Sequence, residues 1–150
     1  MDLSDEILIP APRDVVYAAL NDPEVLKDCI PGCEDLTKAS DTELEAKVLL
    51  KVGPVKARFK GNVTLDPSGA PGHFSLTGQG NGGAAGFAKG GADVTLTEQG
   101  AETLLRYEAK ADIGGKLAQL GSRVVQSTSK KLAAQFFDNL KTRLSAGDDA

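Results

Sequence analysis

Both cysteines of the chain lie in the word CIPGC, as Cys29 and Cys33, and the single histidine is His73. Thiolates and imidazoles bind zinc and serve as nucleophiles and bases, so these three residues are the first candidates for chemistry. A structural zinc site takes four ligands, with its cysteines and histidines in closely spaced pairs. Here a single soft ligand, His73, remains beyond the one pair. A redox pair has the form Cys-x-x-Cys, one residue shorter than the spacing found here. Pro31-Gly32 is a turn signal, and cysteines are commonly buried, so Cys29 and Cys33 are read as packing a turn against the fold. His73 adjoins the turn Ala70-Pro71-Gly72, with no serine, carboxylate or second base placed beside it in sequence. It reads as a surface loop residue rather than a general base. No catalytic residue, metal or cofactor is expected.

The next candidate is GQGNGGAAGFAKGG, residues 78–91, which holds seven of the seventeen glycines. Gly78, Gly80 and Gly83 match the spacing of a dinucleotide-binding loop. Such a loop follows a parallel strand and opens a helix, whose N-terminus holds the pyrophosphate. Here the glycine-studded segment runs into the strand-like ADVTLT, and glycine is a poor helix former. The acidic partner expected ~20 residues on would fall near Gly100, in a turn. Gly115-Lys116 is followed by Leu117, so the phosphate-loop word is missing as well. Strand parity supplies another reading. If Phe74 and Leu76 face inward, so do Gly78, Gly80 and Gly82. On the following strand Leu96, Val94 and Ala92 carry Gly90, Ala88 and Gly86 inward. Two facing strands then lack the side chains that would fill an interior. Either the backbone is closely approached there, or a cavity exists. A glycine bulge past residue 82 would flip the parity and turn Phe87 inward at the lip.

The elements that would position these residues follow from periodicity. Residues 3–9 read as a strand ended by Pro10 and Pro12. PRDVVYAAL and the segment after Asn21-Asp22-Pro23 read as two short helices, the second capped by Asp22 with Pro23 in its first turn. From 34 to 113 short alternating runs are separated by turn signals, the pattern of an antiparallel meander. In VKARFKGNVTL, Val55, Ala57, Phe59, Gly61, Val63 and Leu65 share one face, and Lys56, Arg58, Lys60, Asn62 and Thr64 the other. TLLRYEAKADI, 103–113, alternates in the same way. The basic stripe Lys56, Arg58, Lys60 reads as a solvated face with cross-strand partners such as Glu43 and Glu45; its functional alternative is a patch for anionic lipid heads or an acidic protein. Over 115–144 the period becomes helical, with Leu117, Leu120, Val124, Thr128, Leu132, Phe136, Leu140 and Leu144 as the stripe. A helix of that length spans roughly 40 Å, enough to cover the dry face of the sheet.

Composition bounds the function. The 150 residues suit one domain. The net charge of −4 argues against nucleic acid as a partner. No apolar run approaches the roughly 18 residues of a membrane span. The acidic start MDLSDEILIP lacks a signal peptide's basic flank, so a cytoplasmic location with reduced cysteines is expected. Aromatics make up only 5% and tryptophan is missing, so large side chains that could fill space between sheet and helix are few.

The order strand, two helices, about six strands, long helix is similar to that of the START/Bet v 1-like superfamily of ligand-carrying helix-grip domains. NDPEVLKDCIPGCEDL (21–36), KVGPVKARFKGNVTL (51–65), GQGNGGAAGFAKGGADVTL (78–96) and GGKLAQLGSRVV (114–125) together resemble the family of the carbon monoxide dehydrogenase subunit CoxG. The resemblance spans essentially the whole chain. It implies an α+β helix-grip domain over 1–144, with a curved antiparallel sheet of about seven strands around the C-terminal helix and a polar tail at 145–150. It also implies a non-enzymatic accessory role beside a molybdenum hydroxylase. The tasks implied are assembly, membrane recruitment, or handling of a hydrophobic molecule such as a quinone or lipid. Many members of the family carry a membrane-engaging C-terminal extension, where this chain ends in the polar SAGDDA. Peripheral contact with the inner membrane face is therefore the most that is expected, by a monomer or homodimer. With the resemblance, the glycine-rich strands read as the floor of a cavity. Its lining is expected from Phe59, Val63, Phe74, Leu76, Gly78, Gly80, Ala92, Tyr107, Leu117, Leu120, Val124 and Phe136.

Overall fold

A computed structural model describes residues 1–148. Strand β1 (Asp2–Ile9) is followed by helices α1 (Arg13–Leu20) and α2 (Pro23–Cys29). A meander follows: β2 (Cys33–Ser40), β3 (Glu43–Val52), β4 (Val55–Asp66), β5 (His73–Asn81), β6 (Phe87–Gln99) and β7 (Glu102–Gly114). The chain closes with α3 (Lys116–Gln119) and α4 (Ser122–Asp148). The seven strands form one antiparallel sheet in the order β1-β7-β6-β5-β4-β3-β2, so β1 pairs with the last strand. This is the α+β arrangement expected from the pattern of the sequence.

Local chemistry sets the boundaries. Asp22 caps α2, its carboxylate accepting from the Glu24 amide at 2.9 Å, and Pro23 occupies the first turn, where its missing N–H costs nothing. The expected single helix over 115–144 is broken. Gly121 adopts a left-handed φ of 92°, which stops α3 after one turn and lets the chain restart as α4. α4 then continues through Asp148, past the expected boundary at residue 144. Of the expected polar tail, residues 149 and 150 lie outside the described residues.

The interior is divided into two clusters. The larger joins Ile9, Val16, Phe74, Leu96, Leu105 and Leu140, all at most 3% exposed, at the α1 end of the sheet. Burying each such side chain contributes about 1.5–3 kcal/mol. The buried Thr103 hydroxyl donates to the Ala11 carbonyl at 2.8 Å and ties β7 to the turn before α1. The smaller cluster joins Val52, Phe59, Ala85 and Leu117 at the other end. α4 is fastened to α2 by Asn139, whose amide donates to the Cys29 carbonyl at 3.0 Å, and by the ion pair of Arg143 with Asp28. Among the described residues no helix is long and apolar enough to cross a membrane.

Candidate functional site

Between the two clusters lies a cleft of about 490 Å³, bounded by the concave face of the sheet and by α4. It exists because a row of small residues crosses the sheet. In register across four strands stand Ala46, Gly61, Gly80 and Ala88, and the larger Ile113 ends the row on β7. The facing helix turns Val125, Thr128, Ser129, Leu132, Ala133 and Phe136 toward the cleft at helical spacing along one stripe, with the short Thr128, Ser129 and Ala133 between the bulkier residues. The short residues of the sheet row leave space beneath the helix, shown most directly at Gly80.

The glycines divide into two kinds. A Cβ placed on Gly80 would meet no atom within 4 Å, so this glycine leaves real space. Gly82 is different: a Cβ there would lie 2.5 Å from the Phe59 ring, which rests on the glycine and closes one end of the cleft. A Cβ on Gly90 would lie 2.0 Å from the Lys110 carbonyl oxygen, so close strand approach requires glycine there. Gly78 is intermediate, with the Asn62 carbonyl at 3.1 Å and a Val63 methyl at 3.3 Å. The cavity reading and the close-packing reading are both right, at different positions. Parity is not flipped: Phe87 is 49% exposed, and a Cβ on its register partner Gly114 would strike its ring. Phe87 therefore covers the outer face rather than the lip of the cleft.

The cysteine word contributes its middle to the site. Gly32 has φ 77°, and its carbonyl accepts from the Leu49 amide at 2.9 Å. That bond pins the turn to β3 and brings Ile30 and Pro31 onto the cleft wall. Cys29 is buried and Cys33 half-buried, and both thiols are free. Burial raises both thiol pKa values above the ordinary range; for Cys29 the nearby Arg143 charge only partly offsets this. A raised pKa makes a thiol inert at neutral pH, which fits packing rather than redox work. His73 stands exposed at the start of β5, 3.7 Å from the Asp93 carboxylate and outside the cleft lining. No group of three or more His, Cys, Asp or Glu that could hold a metal occurs among the described residues.

Of the twelve lining residues expected from the sequence, the cleft brings together Phe59, Val63, Gly80, Leu117 and Phe136. The other seven lie elsewhere. Phe74 is core, with the Tyr17 ring edge-on at 5.3 Å. Leu76 packs against the same cluster, and Ala92 stands opposite it in register. Gly78 is held against β4. Tyr107 stacks on Phe137 at 5.4 Å, beyond Phe136, and burial together with the Asp5 charge raises its hydroxyl pKa. Leu120 packs on the smaller cluster. Val124 is 38% exposed and its neighbour Val125 lines the cleft instead. Sequence reasoning missed Ala46, Val48, Leu50 and Val52 of β3, although their alternation in ELEAKVLLKV carries the signal. It also missed Ile30 and Pro31, which no periodicity marks.

On the outer face the expected partners of the basic stripe are not the ones formed. Glu43 pairs in register with Thr64 and Glu45 with Asn62. Arg58 instead bonds Glu34 at 2.8 Å, while Lys60 stands opposite Lys47 and Lys56 opposite Lys51. Like charges directly opposite each other weaken a sheet.

Comparisons with known proteins agree on the architecture. The family model described as the carbon monoxide dehydrogenase subunit CoxG matches residues 6–145. No protein of curated function matches the chain. A solved structure of a conserved protein from Geobacillus kaustophilus is similar at 26% identity and a TM-score of 0.90, covering 97% of this chain and 96% of that one. A START superfamily protein from Mycobacterium smegmatis is similar at 14% identity and a TM-score of 0.74, covering 97% of each chain. The Zhui aromatase/cyclase from Streptomyces sp. R1128 is similar at 10% identity and a TM-score of 0.70, covering 95% of this chain and 92% of that one. At such identities the last two speak for the fold alone.

Proposed function

Because the chain belongs to the CoxG family of carbon monoxide dehydrogenase subunits over residues 6–145, we propose that it is a non-catalytic accessory protein of a molybdenum hydroxylase of the carbon monoxide dehydrogenase kind. In this reading it carries a hydrophobic small molecule, a quinone or lipid, in the cleft between sheet and C-terminal helix. The observation that carries the proposal is the cleft of about 490 Å³ floored by Gly80. That volume lies in the range of roughly 300–1,000 Å³ typical of small-molecule sites, and an apolar wall with few polar groups is their usual lining. Among the described residues no ionisable side chain lines it, which suits holding a ligand rather than transforming it.

The test is mass spectrometry of gently purified protein, followed by calorimetric titration with a decyl-substituted benzoquinone. Recovery of an apolar ligand, or saturable binding of the quinone, supports the proposal. Failure of both refutes it.

A second reading is favoured by the lysine pairs on the outer face, which are unfavourable for the isolated sheet. They fit a face that docks an acidic surface of the oxidoreductase or of the membrane, with the cleft incidental. Retention of the oxidoreductase in a pull-down by a Gly80→Leu variant that no longer binds quinone would favour this docking role.

A further inference from the structure

We infer that the cleft selects an uncharged ligand whose polar end hydrogen-bonds to Thr128 and Ser129, and that it rejects ionised carboxylates and phosphates. This rests on the proposed function, since it presumes that the cleft is a ligand site. Among the described residues none that lines it is Asp, Glu, Lys, Arg or His. The lysines of β3 and β4, Lys47, Lys51, Lys56 and Lys60, all lie on the opposite face of the sheet. Lys130 and Lys131 follow Ser129 on α4, but both are exposed and neither belongs to the lining. An anion placed inside would lose water and gain no counter-charge, the costliest way to bury a group.

Three lining residues have polar side chains, Asn62, Thr128 and Ser129. Asn62 is exposed on the outward side of β4, in register between Glu45 and Gln79. That leaves two adjacent hydroxyls on the cavity stripe of α4. Thr142 further along the helix turns its hydroxyl back to the Asp138 carbonyl at 3.1 Å. Among the described residues neither Thr128 nor Ser129 makes such a bond. Each hydroxyl can donate and accept, so the pair matches a carbonyl, hydroxyl or ether oxygen rather than a charge. Phe136 and Leu132 continue the same stripe away from this pair and would cover an apolar tail.

The test compares ligands of one chain length and then removes the hydroxyls. Dodecanol, methyl dodecanoate and dodecanoate are titrated at neutral pH beside the decyl benzoquinone. The neutral ligands should bind, and dodecanoate at least about tenfold more weakly. Equal binding of the ester and the carboxylate would overturn the charge selection while leaving the cleft a ligand site; no binding of any probe would overturn both. In the combined Thr128→Val and Ser129→Ala variant the ester and quinone should lose on the order of tenfold in affinity, while dodecane binds as before. Thr128→Ser with Ser129 intact should restore binding of the polar ligands. An unchanged ester affinity, or an equal loss for dodecane, would overturn the assignment of the polar end.

Discussion

Gly80→Leu separates a cavity from a merely glycine-rich sheet. A Cβ at this position would meet nothing within 4 Å, and the backbone is ordinary strand without a positive φ. The new side chain therefore enters the cleft without displacing backbone. Burying an isobutyl group stabilises by about 1.5–3 kcal/mol, and replacing glycine within a strand adds about 0.5–1 kcal/mol. Because the cleft is partly open to solvent, only part of this is realised, and a net gain of roughly 1–3 kcal/mol is expected for the unliganded protein. For a domain of this size that raises Tm by about 2–4 °C per kcal/mol. The same four carbons occupy space a ligand would use. A ligand forced to withdraw about four methylenes loses roughly 3 kcal/mol, on the order of 100-fold in Kd. Scanning calorimetry of the free protein and titration with the decyl benzoquinone read the two effects separately. A lower Tm, or an unchanged Kd beside a higher Tm, would refute the reasoning, the first because the space is not there and the second because the ligand is not in it.

Gly90→Ala should act oppositely: its Cβ would lie 2.0 Å from the Lys110 carbonyl oxygen, so the strands must part and urea midpoints should fall by the equivalent of about 2 kcal/mol or more. Leu140→Ala, at a fully buried position of the larger cluster, should cost about 2–5 kcal/mol; a loss below about 1 kcal/mol in a denaturant titration would show that α4 is not packed as described. Maleimide labelling should be slow at neutral pH and slower at Cys29 than at Cys33, because burial raises both thiol pKa values. A raised thiol pKa stabilises the fold below the unfolded value, and this stabilisation is lost as pH rises through the folded value. The labelling rate should therefore climb only under alkaline conditions, and rapid labelling at neutral pH would contradict a packing role.

The sequence alone carried the order of elements, the two short helices, the meander and the in–out parity of every strand compared. Each of these is a local property: a period of two or of about 3.6, a proline at a helix start, a glycine at a turn. Parity also marked Gly80 as inward and Ala88 opposite it, and both are on the cleft wall. What each inward glycine does was decided only by the tertiary structure. Gly80, Gly82 and Gly90 look alike in the sequence, yet one faces open space, one carries the Phe59 ring and one is crossed by a carbonyl oxygen. The difference lies in what stands opposite, and strand register sets that across long stretches of chain. For the same reason Ile30 and Pro31 became wall residues only when Gly32 was pinned to Leu49. Which of the adjacent Val124 and Val125 lines the cleft was likewise decided by the packed helix, and it is Val125. A repeating pattern fixes which side of an element is dry; only the packed neighbours fix whether the dry side is filled.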